Sequence, residues 1–418
     1  MRRFFKRVFA FLCTTLIAFT FSSCQYLEEI LGALSSSQTQ SSIPGTSSSI
    51  EESTSSLVES NSSIEESSSL EEDDSSSIDS GFVEEDDSST TESIQTDGLS
   101  IHFLELGNKY TGDCTLIKTG DTEVLIDAGS RKGSAATIDA YLRQYCTDGV
   151  LEYVVATHAH QDHIAGFVGT KSGKTRNGIF YQYEVETLIQ FSLTNATTVL
   201  YSEYLEGVDY LKQTHQTTVY TALQCYNQTD GASRSYTLGD NITLEILYQR
   251  YYEEQTSDEN DYSVCTLLTQ GDNRYLFTGD LEKDGEKSLL EENDLPKCQL
   301  YKGGHHGSPT SSTAELLAVI QPEIVCVCCC CGSDEYTDNV QNMFPSQAFI
   351  DRIAPYTDKV YVTTVVDESG GFTSMNGNIV VTSNGKEIGV QCSNNNTLFK
   401  DTKWFMDNRT CPSSWKKE

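Results

Sequence analysis

Basic side chains are scarce in this chain. Its 418 residues hold 28 Lys and Arg against 61 Asp and Glu, a formal net charge of −33. A protein that grips nucleic acid through its phosphates normally presents a basic surface, so this balance argues against a tight, sequence-independent nucleic-acid-binding face. The deficit is sharpest in residues 35–97, which contain sixteen acidic residues and no Lys or Arg. With so few apolar groups to offset chain entropy, and like charges repelling, this stretch is expected to be a disordered, extended tether. Long apolar runs are also missing. The only marked one, Val8 to Phe21, is too short for an ordinary membrane-spanning helix. Proline (7), methionine (4) and tryptophan (2) are sparse as well.

What the N-terminus does contain is Arg2, Arg3, Lys6 and Arg7 ahead of that apolar run, closing on Ser22-Ser23-Cys24. Basic, apolar and small-residue segments in this order read as an export signal. The small residues before Cys24 resemble a bacterial lipobox, which implies lipidation of Cys24 and an extracellular protein whose membrane contact is that anchor; plain secretion is the alternative. The expected organisation is a signal segment over 1–24, an acidic Ser-rich tether over 25–97, one folded domain over 98–392 and an extension over 393–418.

Fourteen cysteines in an exported chain suggest disulfides, but two lie in the leader and five fall within Cys326-Val327-Cys328-Cys329-Cys330-Cys331. Following Pro322-Glu323-Ile324-Val325, that run reads as a buried strand using Cys as a small apolar residue. The texture from Leu99 onward is α/β. Short apolar runs, among them 101–106, 114–117, 123–127, 151–157, 242–248, 263–269, 274–278 and 360–366, alternate with amphipathic stretches at 135–145, 312–320 and 345–353.

The strand 151–157 delivers His158-Ala159-His160-Gln161-Asp162-His163. Residues i and i+2 of an extended segment share a face, so His158 and His160 can address one cation. Asp162 and His163, in the turn that follows, can address a second. Burying four such side chains unpaired would cost several kcal/mol, so a two-metal centre is expected.

This motif resembles the His-x-His-x-Asp-His signature of the metallo-β-lactamase superfamily. The likeness spans about 99–390 and is closer to ComEC/Rec2-type hydrolase domains than to true β-lactamases. Ile101-His102-Phe103-Leu104, Gly112-Asp113-Cys114, Leu125-Ile126-Asp127-Ala128-Gly129, Asn260-Asp261-Tyr262-Ser263, Leu276-Phe277-Thr278-Gly279-Asp280 and Lys302-Gly303-Gly304-His305-His306-Gly307-Ser308 carry it. The resemblance implies an αββα sandwich of two mixed sheets with helices outside. It implies that Asp280 bridges both cations, that His305 or His306 supplies a further ligand and a proton donor or phosphate contact, and that Asp127 and Asp113 support the ligands from behind. His305 is slightly favoured as the ligand. The histidine that many members place between the motif and the bridging aspartate has no clear counterpart, since His215 sits in an unlike setting.

Two adjacent cations lower the pKa of a water between them and stabilise charge on the attacked centre, with Asp162 orienting the nucleophile. Zinc suits the His/Asp donors, with manganese or iron as alternatives. The expected function is hydrolysis of a phosphodiester, in DNA or a phosphorylated cell-wall polymer. Hydrolysis of a lactone, thioester or β-lactam is the second reading, and a catalytically idle surface-binding module using the aromatic-rich 181–252 region is the third.

Overall fold

The computed structural model describes residues 98–416. The expected signal segment, the lipidation site Cys24 and the tether lie outside the described residues.

Two eight-stranded sheets build the fold. The first runs, in spatial order, Ile388–Cys392, Ile379–Ser383, Leu99–Phe103, Thr115–Thr119, Thr122–Ile126, Val150–Ala156, Glu184–Gln190 and Thr218–Thr221. It is antiparallel as far as Thr122–Ile126 and parallel from there to Thr218–Thr221. The second runs Phe372–Ser374, Val360–Val366, Ile324–Cys331, Leu300–Lys302, Asn273–Phe277, Cys265–Gln270, Ile242–Leu247 and Ser235–Gly239, with its parallel pairs between Val360–Val366 and Asn273–Phe277. Helices Ser134–Leu142, Gln161–Val168 and Val199–Thr214 cover the first sheet, and Lys283–Glu292, Ala314–Ile320 and Gln347–Ile353 cover the second. This is the expected αββα sandwich. Among the described residues no helix is long and apolar enough to cross a membrane.

The cysteine strand shows how the layers are made. All eight residues of Ile324–Cys331 are buried. Alternation along a strand sends neighbours to opposite faces. Cys326 and Cys328 join the core shared with the first sheet, while Val325, Val327, Cys329 and Cys331 join Phe349, Ile350 and Leu317 beneath the outer helices. Both faces are dry, which is why the run lacks polar alternation. The segment after Cys392, read as an extension, adds Phe399, Phe405 and Trp415 to that outer core.

Every cysteine among the described residues is a free thiol. Burial pushes the thiols of Cys326, Cys329 and Cys331 well above their ordinary range. An alkylating reagent should therefore label the half-buried Cys392 and Cys411 first and leave the 326–331 thiols untouched until denaturant unfolds the chain. Peptide mapping that finds early label on Cys328 or Cys329 would displace this strand from the core.

Candidate metal centre

Parallel strands of both sheets end at one edge, and the expected residues gather there, where ligands bind in open α/β sheets. Thr122–Ile126 leads to Asp127, Val150–Ala156 to His158 and His160, Asn273–Phe277 to Asp280, and Leu300–Lys302 to His305 and His306. Asp113 enters from the turn preceding Thr115–Thr119. The loops before Thr115 and after Ile126 together brace the histidine turn: Asp113 N donates to Asp162 O at 3.0 Å and Ala128 N to His163 O at 2.7 Å. A Cβ on Gly129 would lie 1.4 Å from Asp162 O, so only glycine fits this crossing.

Hydrogen bonding fixes how the imidazoles face. Asp127 Oδ1 accepts from Thr157 N (2.8 Å), and its Oδ2 accepts from Thr157 Oγ1 (2.7 Å) and His163 Nδ1 (2.8 Å). With its proton given to Asp127, the Thr157 hydroxyl oxygen can accept from His158 Nδ1 at 3.1 Å. The Cys328 carbonyl accepts from His306 Nδ1 at 2.8 Å, and Asp113 Oδ1 lies 3.3 Å from the same nitrogen. The Nε2 lone pairs of His158, His163 and His306 are thereby turned inward, the supporting geometry usual for metal-bound histidines.

The carboxylate oxygens that His163 and His306 face are acceptors too. Asp280 Oδ2 lies 3.0 Å from Nε2 of both His163 and His306, Asp162 Oδ2 lies 3.3 Å from His306 Nε2, and His158 Nε2 is 3.0 Å from His160 Nδ1. The fully buried His306 Nε2 has no hydrogen-bond partner. Facing lone pairs in a dry site call for positive charge between them. The electrostatics agree. Burial opposes ionisation of Asp280, but His163, His306 and Lys302 outweigh it and hold the carboxyl well below its usual range. Burial likewise disfavours protonated His163 and His306, yet Asp280 with Asp127 or Asp113 drives both well above the ordinary histidine range. His158 is held neutral by burial and by His163 and His160.

The donor set gathered here, His158, His160, Asp162, His163, Asp280 and His306, fits divalent cations in its mix of imidazole nitrogens and carboxylate oxygens. Asp113, His163, Asp280 and His306 also have donor atoms within 4.8 Å of one another. Asp113 nevertheless faces the outer Nδ1 atoms of both histidines (3.3 and 3.8 Å), which makes it a support rather than an inward ligand.

The preference for His305 as the ligand is reversed. Both residues of the pair adopt left-handed backbone, with φ of 46° and 54°. The chain thereby seats His306 among the ligands and leaves His305 Nε2 at 4.0 Å from Asp280 Oδ2, with its Nδ1 3.1 Å from Glu282 Oε1. His215 caps a helix against Tyr210 and His102 bonds to Ser100 and Tyr141, so neither serves the centre.

Three neighbours had no assigned role in the sequence reading. Lys302, nearly enclosed, pairs with Asp113 and stands 3.4 Å from Asp280 Oδ1. Ser263 Oγ accepts from Asp280 N at 3.1 Å and lies 3.4 Å from His158 Nδ1. Tyr336 donates to Asp162 Oδ2 at 2.7 Å. Lys302 and Ser263 lie inside segments that carry the family resemblance. Tyr336 carried no signal beyond following the cysteine strand, itself a parallel strand ending at this edge.

The metallo-beta-lactamase superfamily model matches residues 107–172. ComE operon protein 3 of Bacillus subtilis is 28% identical over 92 residues, covering 21% of this chain and 12% of that protein. Competence protein ComA of Neisseria gonorrhoeae is 27% identical over 215 residues, covering 51% and 25%. Recombination protein 2 of Haemophilus influenzae is 33% identical over 72 residues, covering 17% and 9%. The chain thus spans a quarter or less of the length of these relatives. With the sandwich and the metal-fitting edge in place, residues 98–416 have the metallo-β-lactamase fold, carry that superfamily's match over 107–172 and are similar to ComEC/Rec2-type relatives; members of the superfamily are generally metal-dependent hydrolases.

Proposed function

We propose that this chain is an extracytoplasmic phosphodiesterase, acting on DNA or on a phosphorylated cell-wall polymer and held to the membrane through lipid on Cys24. The observation that carries the reading is Asp280 Oδ2, 3.0 Å from two imidazole nitrogens that belong to different strand ends. A carboxylate so placed would share one cation with both imidazoles, and its two oxygens would suit a second cation beside the first. When bound, the cations activate a water and neutralise charge that builds on the attacked centre. Zinc matches the donors best.

The protein's own groups then position and protonate. Asp127 and Cys328 O lock the tautomers of His163 and His306, and Asp162 faces the same space through Oδ2. Glu282 holds His305 by Nδ1, leaving Nε2 free to donate to a departing oxygen on the Asp280 side. Glu286, fully buried, accepts from Ser311 Oγ (3.0 Å), Ser312 N (2.6 Å) and Thr313 N (2.7 Å) and so fixes the loop behind the histidine pair. Similarity to a competence protein and a recombination protein supports a nucleic-acid or related phosphodiester substrate. The N-terminal signal pattern supports export.

The test is a panel on metal-loaded protein comprising a bis-aryl phosphodiester, plasmid DNA, a phosphorylcholine-bearing polymer and a β-lactam. Metal-dependent cleavage of at least one phosphodiester, with the β-lactam intact, is expected. Cleavage of the β-lactam alone would overturn the proposal.

A further inference from the structure

The loop after the cysteine strand brings Tyr336 over the centre. Its hydroxyl donates to Asp162 Oδ2 at 2.7 Å, and its ring lies 5.4 Å from that of Phe344. Phe344 in turn sits 5.8 and 6.0 Å from the rings of His305 and His306. On the other side, Glu335 accepts from Thr111 N at 2.9 Å and pairs with Arg131, whose guanidinium rests 4.1 Å over the Tyr110 ring. The segment is thus tied down at consecutive residues, yet Tyr336 remains 51% exposed. A tyrosine that served packing alone would bury its ring. This one holds a neutral donor at the mouth of the site, on a carboxylate assigned to a cation.

We propose that Tyr336 is a catalytic hydrogen-bond donor to a non-bridging oxygen of the substrate's phosphoryl group, an assignment that rests on the phosphodiesterase reading. Asp162 Oδ2 becomes a weaker acceptor once its charge is shared with a cation, while the phosphoryl oxygens gain partners as charge spreads over them in the transition state. The phenol then exchanges one oxygen for another by rotating about its C–O bond, and its proton stays on the tyrosine. Neighbouring basic groups are less suited to the task, because Lys302 is committed to Asp113 and Arg131 to Glu335. A donor aimed where charge develops acts most strongly in a site that excludes water.

The experiment compares full-length wild type and Y336F, both loaded with zinc or manganese and checked for metal content. An oxygen diester and its analogue with sulfur in the non-bridging position are the substrates. The expected result is kcat lower by about 10–100-fold on the oxygen diester, with KM and cation stoichiometry unchanged. The deficit should shrink to about threefold or less on the sulfur diester, because sulfur is a weak acceptor. Unchanged kcat would overturn the proposal. So would an equal deficit on both substrates, or one that disappears at higher metal concentration, since Tyr336 would then only position Asp162. A wild type that cleaves no phosphodiester would overturn the functional reading and this role together, whereas an active wild type matched by its variant would overturn the role alone.

Discussion

Asp280→Asn is expected to cut the content of tightly held divalent cation from two per chain to one or none, and to lower phosphodiester turnover by at least about a thousandfold. Asp280 Oδ2 lies 3.0 Å from Nε2 of both His163 and His306, and on the proposed reading the same carboxylate also serves a cation at His158 and His160. Losses of about 10–100-fold follow removal of groups that merely support a ligand. A ligand shared by two cations should cost more, and about 4 kcal/mol of lost charge stabilisation corresponds to a thousandfold in rate. Asparagine keeps the shape and removes the charge, so the variant should fold. A thermal-shift titration gives a readout independent of turnover. Cation at a hundred times its dissociation constant stabilises a native state by about 2.7 kcal/mol, so zinc should raise the wild-type Tm markedly and that of the variant far less. Retention of two cations with unaltered affinity would remove Asp280 from the bridging position.

The contrast between Asp280 and Tyr336 shows how far the sequence could be read. The histidine motif was legible because a strand end puts His158 and His160 on one face, Asp280 through the family resemblance of the segment 276–280, and the dry strand at 324–331 because both its faces are apolar. Strands Glu184–Gln190, Thr218–Thr221 and Ser235–Gly239 were lost inside a polar and aromatic region. Glu184-Val-Glu-Thr-Leu-Ile-Gln mixes charge with apolar residues in a strand that is only half dry, so neither a buried run nor a clean alternation stands out. Order within the His305-His306 pair was not legible either. It depends on two consecutive left-handed residues, a conformation that non-glycine residues seldom adopt, and the slight preference for His305 therefore failed. Tyr336 depends on a loop path that brings it across to Asp162, 174 residues away in sequence, and no local pattern encodes such a meeting.

Lys302→Met should destabilise the metal-free protein by about 3–5 kcal/mol, the usual consequence of stranding one partner of a buried ion pair. The side chains of Lys302 and Asp113 are 4% and 3% exposed. Without the ammonium, Asp113 keeps only the outer nitrogens of His306 and His163, at 3.3 and 3.8 Å. The double variant with Asp113→Asn should recover most of the loss, because the stranded charge is gone, and the non-additivity measures the pairing. The pH dependence has a definite sign. Burial raises the Asp113 carboxyl, but Lys302 and His306 outweigh it and hold it below its usual range. In wild type its stabilisation is therefore present above the unfolded carboxylate value of about 3.9 and lost as pH falls through the lower folded value. In the single variant burial prevails, the native state holds the proton longer than the unfolded chain, and stability declines as pH rises. The gap between the two proteins should accordingly be wider at pH 8 than at pH 5 in denaturant titrations. Cation binding should respond in the opposite direction. Removing the ammonium 3.4 Å from Asp280 Oδ1 leaves the centre one charge more negative, so zinc should restore more stability to the variant than it adds to wild type. A variant as stable as wild type at both pH values would mean that the pair is dispensable, and equal zinc stabilisation in the two proteins would mean that Lys302 does not act on the metal centre.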